Sequence, residues 1–228
     1  MVVLVPAGIH FGMIAVRIRP SAVADMPAVA AIYAHFVHHG SGTFEETPPS
    51  VEEMTNRRSQ VLAERMPYLV AELDGTVVGY AYATIYRSRS AYRFTAEDSI
   101  YVHHEQGRSG VGSALLAALI EACEAAGCRQ MVAVIGDREN RGSIALHERF
   151  GFQPAGVLRS VGFKFGRWID TVRMQRALGA GDRALPGETV SPYPTSSASP
   201  ASTRETPPAA PSSPAPSRPL PPPAAPAP

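Results

Sequence analysis

The sequence predicts an α/β protein of the α+β type, with a central mixed, mostly antiparallel sheet flanked by helices. Segments whose apolar residues alternate, as in strands, recur along the chain between segments whose apolar residues repeat at helical spacing. Asp74-Gly75 lies between two strand patterns, and this dipeptide is typical of the tight turns that join antiparallel neighbours. Farther along, a strand pattern runs through a glycine-bearing turn into a helical pattern.

Apolar periodicity and turn residues set the expected limits of each element. Pro20 and Ser21 end the first strand, Gly127 ends the third helix, and Gly79 indicates a bulge inside a hairpin strand. In chain order we expect a strand at 15–19, a helix capped by Asp25, a helix at 51–65, and strands at 68–73, 76–85 and 95–102. A helix at 110–126, a strand at 131–135 and a helix at 143–150 follow. Two further strands lie within 155–176 around a turn at 164–167, with Trp168 packing at the start of the last strand.

The overall composition is that of a chain with one sizeable globular domain. It has 228 residues, of which 45% are apolar and 18% are charged. The net charge of +1 favours neither nucleic acid nor a membrane surface as a partner. No apolar run approaches the roughly 20 residues of a membrane span. Cys123 and Cys128 are too few for a disulfide framework and lack zinc-ligand spacing, so we expect free thiols in a reducing, cytoplasmic setting.

Composition also divides the chain into three parts. Residues 1–12 are apolar but carry no basic leader, and we expect them to be a disordered extension, with Met13 as an alternative start. Residues 13–178 form the expected domain. Fifteen of the 22 prolines lie beyond residue 185, mixed with alanine and serine. We expect 179–228 to be a Pro/Ala/Ser-rich disordered tail, because such a segment cannot bury enough apolar surface to offset its ordering entropy.

The stretch 99–120 carries the chain's central functional pattern. A short strand over 99–102 leads into a polar turn with Gly107, Gly110 and Gly112, after which apolar residues recur at helical spacing. Such a turn gathers free backbone N–H groups at the positive end of a helix dipole, and glycine lets the backbone approach a phosphate closely. The spacing matches neither the P-loop nor the dinucleotide fingerprint. The turn therefore indicates either a plain tight connection or a phosphate site of another kind.

The connection 86–94 (YRSRSAYRF) is basic and aromatic. Arginine makes bidentate bonds to carboxylate and phosphinate oxygens, so Arg87 and Arg89 would suit an anion pocket. A solvated loop accounts for the same residues equally well. The sequence therefore leaves both interpretations open at this point.

Three separated motifs resemble the GNAT superfamily of acyl-CoA N-acyltransferases. The turn 106–112 is similar to its pyrophosphate loop, although Gly107 stands where Gln or Arg is usual. The segment 140–152 (NRGSIALHERFGF) resembles its second signature, with His147 at a position usually held by Tyr. The phosphinothricin N-acetyltransferase family and its methionine sulfoximine acetyltransferase relatives are similar in the phrases YLVAE at 68–72, AY at 91–92, TAE at 95–97, VAVI at 132–135 and VGFKFGRW at 161–168. The resemblance covers residues 15–178 and implies the GNAT fold.

The resemblance also implies acetyl-CoA as co-substrate, and no metal. In the superfamily, backbone N–H groups of the turn bind the pyrophosphate, and the Asn of the second signature touches the pantetheine arm. The residues implied to bind acetyl-CoA are Ile100, Tyr101, Val102, Gly107, Arg108, Ser109, Gly110, Val111, Gly112, Ser113, Asn140 and Ser143.

Two residues are candidates for proton transfer. An amine must be neutral to attack a thioester, yet amino-acid amines are mostly protonated at neutral pH, so a base is needed. The resemblance places a catalytic glutamate at Glu97. His147 could protonate the leaving thiolate, could itself be the base, or could be structural.

The resemblance implies a small amino-acid-like substrate of the phosphinothricin, methionine sulfoximine or methionine sulfone type. Arginines would hold its acid group, Tyr92 would pack beside them, aromatic residues would wall its side-chain pocket, and Lys164 would line the mouth. The implied substrate residues are Phe36, Phe44, Arg87, Ser88, Arg89, Tyr92, Glu97, Asp98, Ser99 and Lys164.

Two other functions remain open at this stage. The first is an acetyltransferase of the same fold that acts on another amine, such as a polyamine, an antibiotic or a protein N-terminus. The arginine loop, which is the connection 86–94, argues against a polycation. The second is a non-enzymatic acetyl-CoA-binding protein, against which the joint presence of Glu97, Asn140 and His147 argues. The resemblance also implies a homodimer, with the last strands and the Trp168 region as its interface, and a resistance role.

Overall fold

The computed structural model describes residues 16–186 of the chain. The expected extension at 1–12 and most of the expected tail, 187–228, lie outside the described residues. The strands are β1 (Arg17–Pro20), β2 (Tyr68–Leu73), β3 (Thr76–Ile85), β4 (Thr95–Val102), β5 (Gln130–Gly136), β6 (Gln153–Lys164) and β7 (Arg167–Ala177). The helices are α1 (Met26–His39), α2 (Val51–Ala63), α3 (Val111–Ala125) and α4 (Arg141–Arg149).

The strands form one seven-stranded sheet in the order β1-β2-β3-β4-β5-β7-β6. Every neighbouring pair is antiparallel except β4 and β5, which run parallel. The parallel pair follows from the chain path, because α3 carries the chain back across the sheet between these two strands. The mixed, mostly antiparallel sheet expected from the sequence is therefore confirmed.

Helices cover both faces of this sheet. Strand residues three apart point to opposite faces, and on β4 Tyr101 contacts Tyr33 of α1 whereas Asp98 contacts His147 of α4. Helix α3 shares the face of α4, where a Cβ on Gly79 would lie 3.1 Å from side-chain carbons of α3. The core fills the space between each helix layer and the sheet, and it includes a stack of tyrosines from the central strands on the α1 face: Tyr68, Tyr80, Tyr82 and Tyr101.

Most elements lie where the sequence predicts them. Strands β2, β3 and β4 match the expected limits, and the other elements differ by one to a few residues at their ends. The register of β2 against β3 shifts by one residue between Ala71 and Glu72, opposite Gly79, so the expected bulge is present. Within residues 16–186, no helix has the length and apolar character needed to cross a membrane.

One local expectation is wrong. Asp25 precedes α1, but its carboxylate accepts hydrogen bonds from Arg19 and from the Ala22 N–H and caps no helix N–H group. Trp168 lies at the start of β7, as expected, and packs edge-on against Phe163, although 64% of its surface is exposed.

The boundary expected at residue 178 also needs correction. The segment 179–186, assigned by composition to the tail, is described and contacts the domain: the Arg129 guanidinium donates hydrogen bonds to the carbonyls of Gly181 and Ala184, both at 2.9 Å. Leu178 itself is fully buried. Composition misses this segment because its anchor, Arg129, lies about fifty residues earlier in the chain.

Candidate active site

The parallel strands at the centre of the sheet separate partway along their length. The pairing of β4 with β5 runs from Thr95 with Gln130 to Asp98 with Ala133 and then stops, while β5 continues along β7 to Gly136. Among residues 16–186, no strand lies beside the edge of β4 that faces β5 beyond Asp98. A cavity of about 230 Å³ occupies this gap, between the two strands and the first turns of α3 and α4.

The glycine turn before α3 has the conformation that an anion site requires. Gly110 is the N-cap of α3 and has φ of +88°, which places it in the left-handed region that glycine adopts without strain. No side chain of the described residues caps the helix there, so its first N–H groups keep their hydrogen-bonding capacity. A Cβ on Gly112 would lie 3.5 Å from the Leu146 side chain, so the cavity, which forms a cleft between β4 and β5, is narrow at this point. The residues present thus fit a pyrophosphate group at the helix N-terminus.

Asn140 closes the opposite wall of the cavity. It is the N-cap of α4, and its Oδ1 accepts a hydrogen bond from the Ser143 N–H at 3.2 Å. The capping bond uses the amide oxygen, so the amide NH₂ keeps its two donors for a carbonyl entering the cavity. One residue therefore fixes the start of α4 and offers a donor to the cleft.

The structure joins Asp98 and His147 in a buried pair across the base of the cavity. His147 Nε2 lies 3.0 Å from Asp98 Oδ2, and His147 Nδ1 lies 2.7 Å from the carbonyl oxygen of Ser143. Both partners are acceptors, so the doubly protonated ring satisfies both contacts. Burial disfavours the charged ring, but the hydrogen bond and the charge of Asp98 outweigh it, and the pKa of His147 is raised. The pair ties α4 to β4 and sets the base of the cleft.

This pairing alters two expectations. Asp98 was expected to touch the substrate, but it lies on the α4 face and its carboxylate is held by His147. His147 was expected to be a base, an acid or a structural residue, and its two occupied nitrogens favour the third role. The sequence holds no signal for the contact, since the partners are 49 residues apart.

Glu97 points to the other face of β4. Its carboxyl is half-buried, and burial raises its pKa. The positive charge of Arg87 lowers this pKa and the negative charge of Asp98 raises it, and the net shift is upward. A carboxylate with a raised pKa is a stronger base than an exposed one. Glu97 therefore has the electrostatic character expected of a proton acceptor at neutral pH.

The arginine loop between β3 and β4 lies at the surface. Arg87 is exposed, and its guanidinium lies 4.8 Å from the centre of the Tyr86 ring; Tyr86 in turn packs edge-on against Tyr92. Arg89 and Ser88 are exposed on the same loop. The charge of Arg87 reaches Glu97, so the loop and the candidate base share one electrostatic environment.

Lys164 does not line the mouth of the site, so that expectation is wrong. It is the only lysine of the chain and is 2% exposed. Its Nζ donates hydrogen bonds to the carbonyls of Gly40 and Thr43, both at 2.9 Å, and to that of Phe36 at 3.4 Å. Burial lowers its pKa. The residue is an anchor that holds the loop after α1 against the β6–β7 hairpin.

That anchored loop carries one of the two expected aromatic walls. Phe44 packs over Gly136 and Gly162, where an added Cβ would come within 3.3 Å and 2.3 Å of its ring. Tyr33 holds the loop from below through hydrogen bonds with Thr43 and Glu45. Phe36, on α1, packs against Tyr101 and lines the cavity.

The cavity collects about half of the residues expected at the site. Of those, it is lined by Phe36, Asp98, Ser99, Ile100, Tyr101, Val102, Gly112, Asn140, Ser143 and His147. It does not touch Phe44, Arg87, Ser88, Arg89, Tyr92, Glu97, Gly107, Arg108, Ser109, Gly110, Val111, Ser113 or Lys164. It adds lining residues that sequence reasoning missed, namely Gly42, Ala133, Val134, Ile135, Gly136, Gly142 and Leu146.

Two observations explain why the residues that line the cavity differ from those expected at the site. The missed residues of β5 belong to a buried apolar strand, and their side chains give no indication of a site. They face the cavity only because β4 and β5 separate. Val111 lies fully in the core, so only its backbone can face a ligand. Within the described part of the chain, no group of three or more His, Cys, Asp or Glu side chains is arranged to hold a metal ion.

The fold and the cleft define an acetyltransferase. Residues 13–152 match the family model "Acetyltransferase (GNAT) family", and the chain belongs to this family.

The chain is also similar to narrower groups of acetyltransferases. The chain is 54% identical over 179 residues to a phosphinothricin N-acetyltransferase of Alcaligenes faecalis, covering 78% of this chain and 91% of that one. It is 41% identical over 162 residues to an L-methionine sulfoximine/L-methionine sulfone acetyltransferase of Pseudomonas paraeruginosa, covering 69% and 92%. The crystal structure of a GNAT superfamily phosphinothricin acetyltransferase from Sinorhizobium meliloti, in complex with AcCoA, superimposes with a TM-score of 0.74 at 46% identity, covering 77% and 95%.

Proposed function

We propose that this enzyme transfers the acetyl group of acetyl-CoA to the α-amine of a small amino acid or analogue of the phosphinothricin, methionine sulfoximine or methionine sulfone type, in a detoxification role. The observation that carries the proposal is the combination of the open edge of β4 with Glu97, a half-buried carboxyl of raised pKa beside Arg87. The similarity to enzymes that bear these names supports the substrate class.

The cleft would hold acetyl-CoA along the separated strands. The N–H groups of the turn 108–113 would bind the pyrophosphate, and the Asn140 amide would donate to the pantetheine arm. When bound, acetyl-CoA supplies the thioester carbon that the amine attacks. Because β5 leaves β4 after Asp98, backbone N–H groups of 100–102 on that edge can donate to the thioester oxygen, where negative charge develops.

Glu97 would accept the proton that the ammonium group must lose before attack, directly or through a water molecule. Burial raises the pKa of its carboxyl, which makes the carboxylate a stronger base. His147 contributes by position: its contacts with Asp98 and Ser143 hold α4, and with it Asn140, against β4. We therefore assign the base to Glu97 and a positioning role to His147.

The arginine loop would receive the acid group of the substrate. Arg87 and Arg89 are exposed on a loop whose charge reaches Glu97, so a carboxylate or phosphinate held there would place its amine near the base. The aromatic wall of Phe36 and Phe44 would face the substrate side chain.

A panel assay tests this proposal. Release of the CoA thiol should be fastest with phosphinothricin, methionine sulfoximine or methionine sulfone, and slow with polyamines. Arg89→Ala should raise KM for the amino acid by roughly 10- to 100-fold, since it removes a charge-assisted hydrogen bond, while KM for acetyl-CoA changes little.

Arg93→Ala is the matched control, because Arg93 lies in the same loop but donates to the Ser90 carbonyl and stacks on Phe94. Equal KM values for the two variants, or a preference for polyamines, would refute the proposed substrate class.

We further propose that the enzyme acts as a homodimer in the cytoplasm, where acetyl-CoA is available. The outer face of the β6–β7 hairpin is apolar and exposed, with Phe163 56% and Trp168 64% accessible. Val157, Leu158, Val161 and Phe165 of the same hairpin are also exposed. An apolar patch of this kind usually marks an interface, and a second copy of the chain is the partner that the family resemblance implies.

A further inference from the structure

The end of α3 brings the only two cysteines of the chain together. Gly127 has φ of +89°, its N–H bonds to the Glu124 carbonyl at 3.0 Å, and the Cys128 N–H bonds to the Cys123 carbonyl at 2.9 Å. These are the two hydrogen bonds of the Schellman motif, in which the third-last helical residue and the second residue after the cap place their side chains in contact. Here both of those side chains are cysteines.

The two thiols differ in access to small molecules. Cys123 is fully buried in the core, whereas Cys128 also forms part of the wall of a cavity of about 220 Å³. Glu124, Arg129 and the segment 178–180 line the same cavity. Cys128 is therefore the thiol that a small reagent can reach first.

The thiols also differ in acidity. The hydrogen bond from Cys123 lowers the pKa of Cys128, against the effect of burial, and the same contact together with burial raises the pKa of Cys123. The more accessible thiol is thus also the more readily ionised one, and the thiolate is the nucleophilic form.

We propose that Cys123 and Cys128 form a reversible intrachain disulfide, with Cys128 as the attacking thiol and a small-molecule disulfide as the oxidant. The backbone hydrogen bond between the two residues limits the separation of their Cα atoms to about the 4.4–6.8 Å that a disulfide spans.

The exchange takes place in two steps. The Cys128 thiolate attacks one sulfur of the oxidant, forms a mixed disulfide and releases one thiolate. Cys123 then loses its proton and attacks Cys128 Sγ, which forms the intrachain bond and releases the second thiolate. In sum, two cysteine thiols are oxidised and one small disulfide is reduced to two thiols.

The bond would link the C-terminal end of α3 to the segment that leads into β5, while the start of α3 and the end of β5 line the cavity of the candidate active site. In a reducing compartment such a bond forms only transiently, so the pair would respond to a change in redox state. The proposed disulfide does not depend on the substrate class proposed above, because it requires only the geometry at the end of α3 and the cavity at Cys128.

The test uses the full chain equilibrated in its native state with mixtures of reduced and oxidised glutathione. Samples are quenched with acid, unfolded, alkylated and weighed by mass spectrometry. Because the chain has two cysteines, molecules should carry either two alkyl groups or none, with a single transition as the buffer becomes more oxidising. Retention of two alkylated cysteines in fully oxidised glutathione would overturn the proposal, and this measurement needs no variant.

Single variants test the order of attack. When the folded variants are incubated with oxidised glutathione, Cys123→Ser should carry one glutathione on Cys128. Cys128→Ser should instead keep Cys123 unmodified. Circular dichroism verifies that each variant is folded. Equal modification of both variants, or modification of Cys123 alone, would refute Cys128 as the attacking thiol.

Discussion

Two adjacent residues of β4 have different surroundings because a strand alternates its faces. Glu97 points toward the arginine loop, and burial leaves its carboxyl with a raised pKa. Asp98 points toward α4 and is neutralised by His147 in a buried pair. One step along the strand thus separates the carboxyl that we propose as the base from one held in a buried ion pair.

Replacing the proposed base should reduce turnover and leave binding largely intact. Glu97→Gln keeps the shape of the side chain but removes its proton-accepting oxygen, so kcat should fall by roughly 10²–10⁴. In the parent, kcat/KM should rise with pH through the raised pKa of Glu97, and this limb should flatten in the variant. Glu121→Gln, on the exposed side of α3, should match the parent. Near-parental kcat for Glu97→Gln across the pH range would show that Glu97 is structural.

The buried His147–Asp98 pair should make stability depend on pH. The pKa of His147 is raised in the folded state, so its contribution is fully present below the unfolded value of about 6.5 and is lost as pH rises through the folded value. The free energy of unfolding, from urea titrations between about pH 6 and pH 9, should fall more steeply for the parent than for His147→Gln. His103→Gln should keep the parental slope. Identical slopes for all three proteins would mean that His147 is not charged in the folded state.

At the scale of elements, the function depends on where secondary structures end. The cleft exists because β4 and β5 stop pairing after Asp98, and its two donors come from the N-termini of α3 and α4. The loop after α1 is held over the site by Lys164, whose ammonium group binds three carbonyls. Interruptions of regular structure, rather than the regular structure itself, form the site.

The glycine turn offers a matched pair of substitutions. Gly110 and Gly75 both have positive φ, +88° and +79°, and open space around an added Cβ. Replacement of either by alanine should cost about 1 kcal/mol of stability, because an L-residue is strained in this region. Only Gly110→Ala should also raise the Kd for acetyl-CoA, measured by calorimetry, since its turn would bind the pyrophosphate. A similar Kd for both variants would exclude the turn as the pyrophosphate site.

At the scale of the whole molecule, the exposed hairpin face determines the expected assembly. Light scattering at micromolar concentration should give the mass of a dimer, and Trp168→Glu should shift it toward a monomer by placing a charge in the apolar face. Leu62→Glu is the control, because Leu62 is 40% exposed on α2, away from the hairpin. A monomeric parent with full activity would contradict the homodimer.

The sequence by itself determined the elements and the local features of the site. The limits of β2, β3 and β4, the hairpin turn at Asp74 and the glycine turn before α3 all depend on a few consecutive residues. Periodicity, turn propensity and capping act over such short distances, so these features can be predicted locally.

Only the tertiary structure decided which polar groups meet. The pairing of His147 with Asp98, the anchoring of the 40–44 loop by Lys164 from more than a hundred residues away, and the packing of 179–186 against Arg129 carry no sequence signal. A buried charge requires a partner, but its identity depends on how distant elements superimpose across the sheet. For the same reason the different surroundings of Glu97 and Asp98 follow from the elements that cover each face of β4.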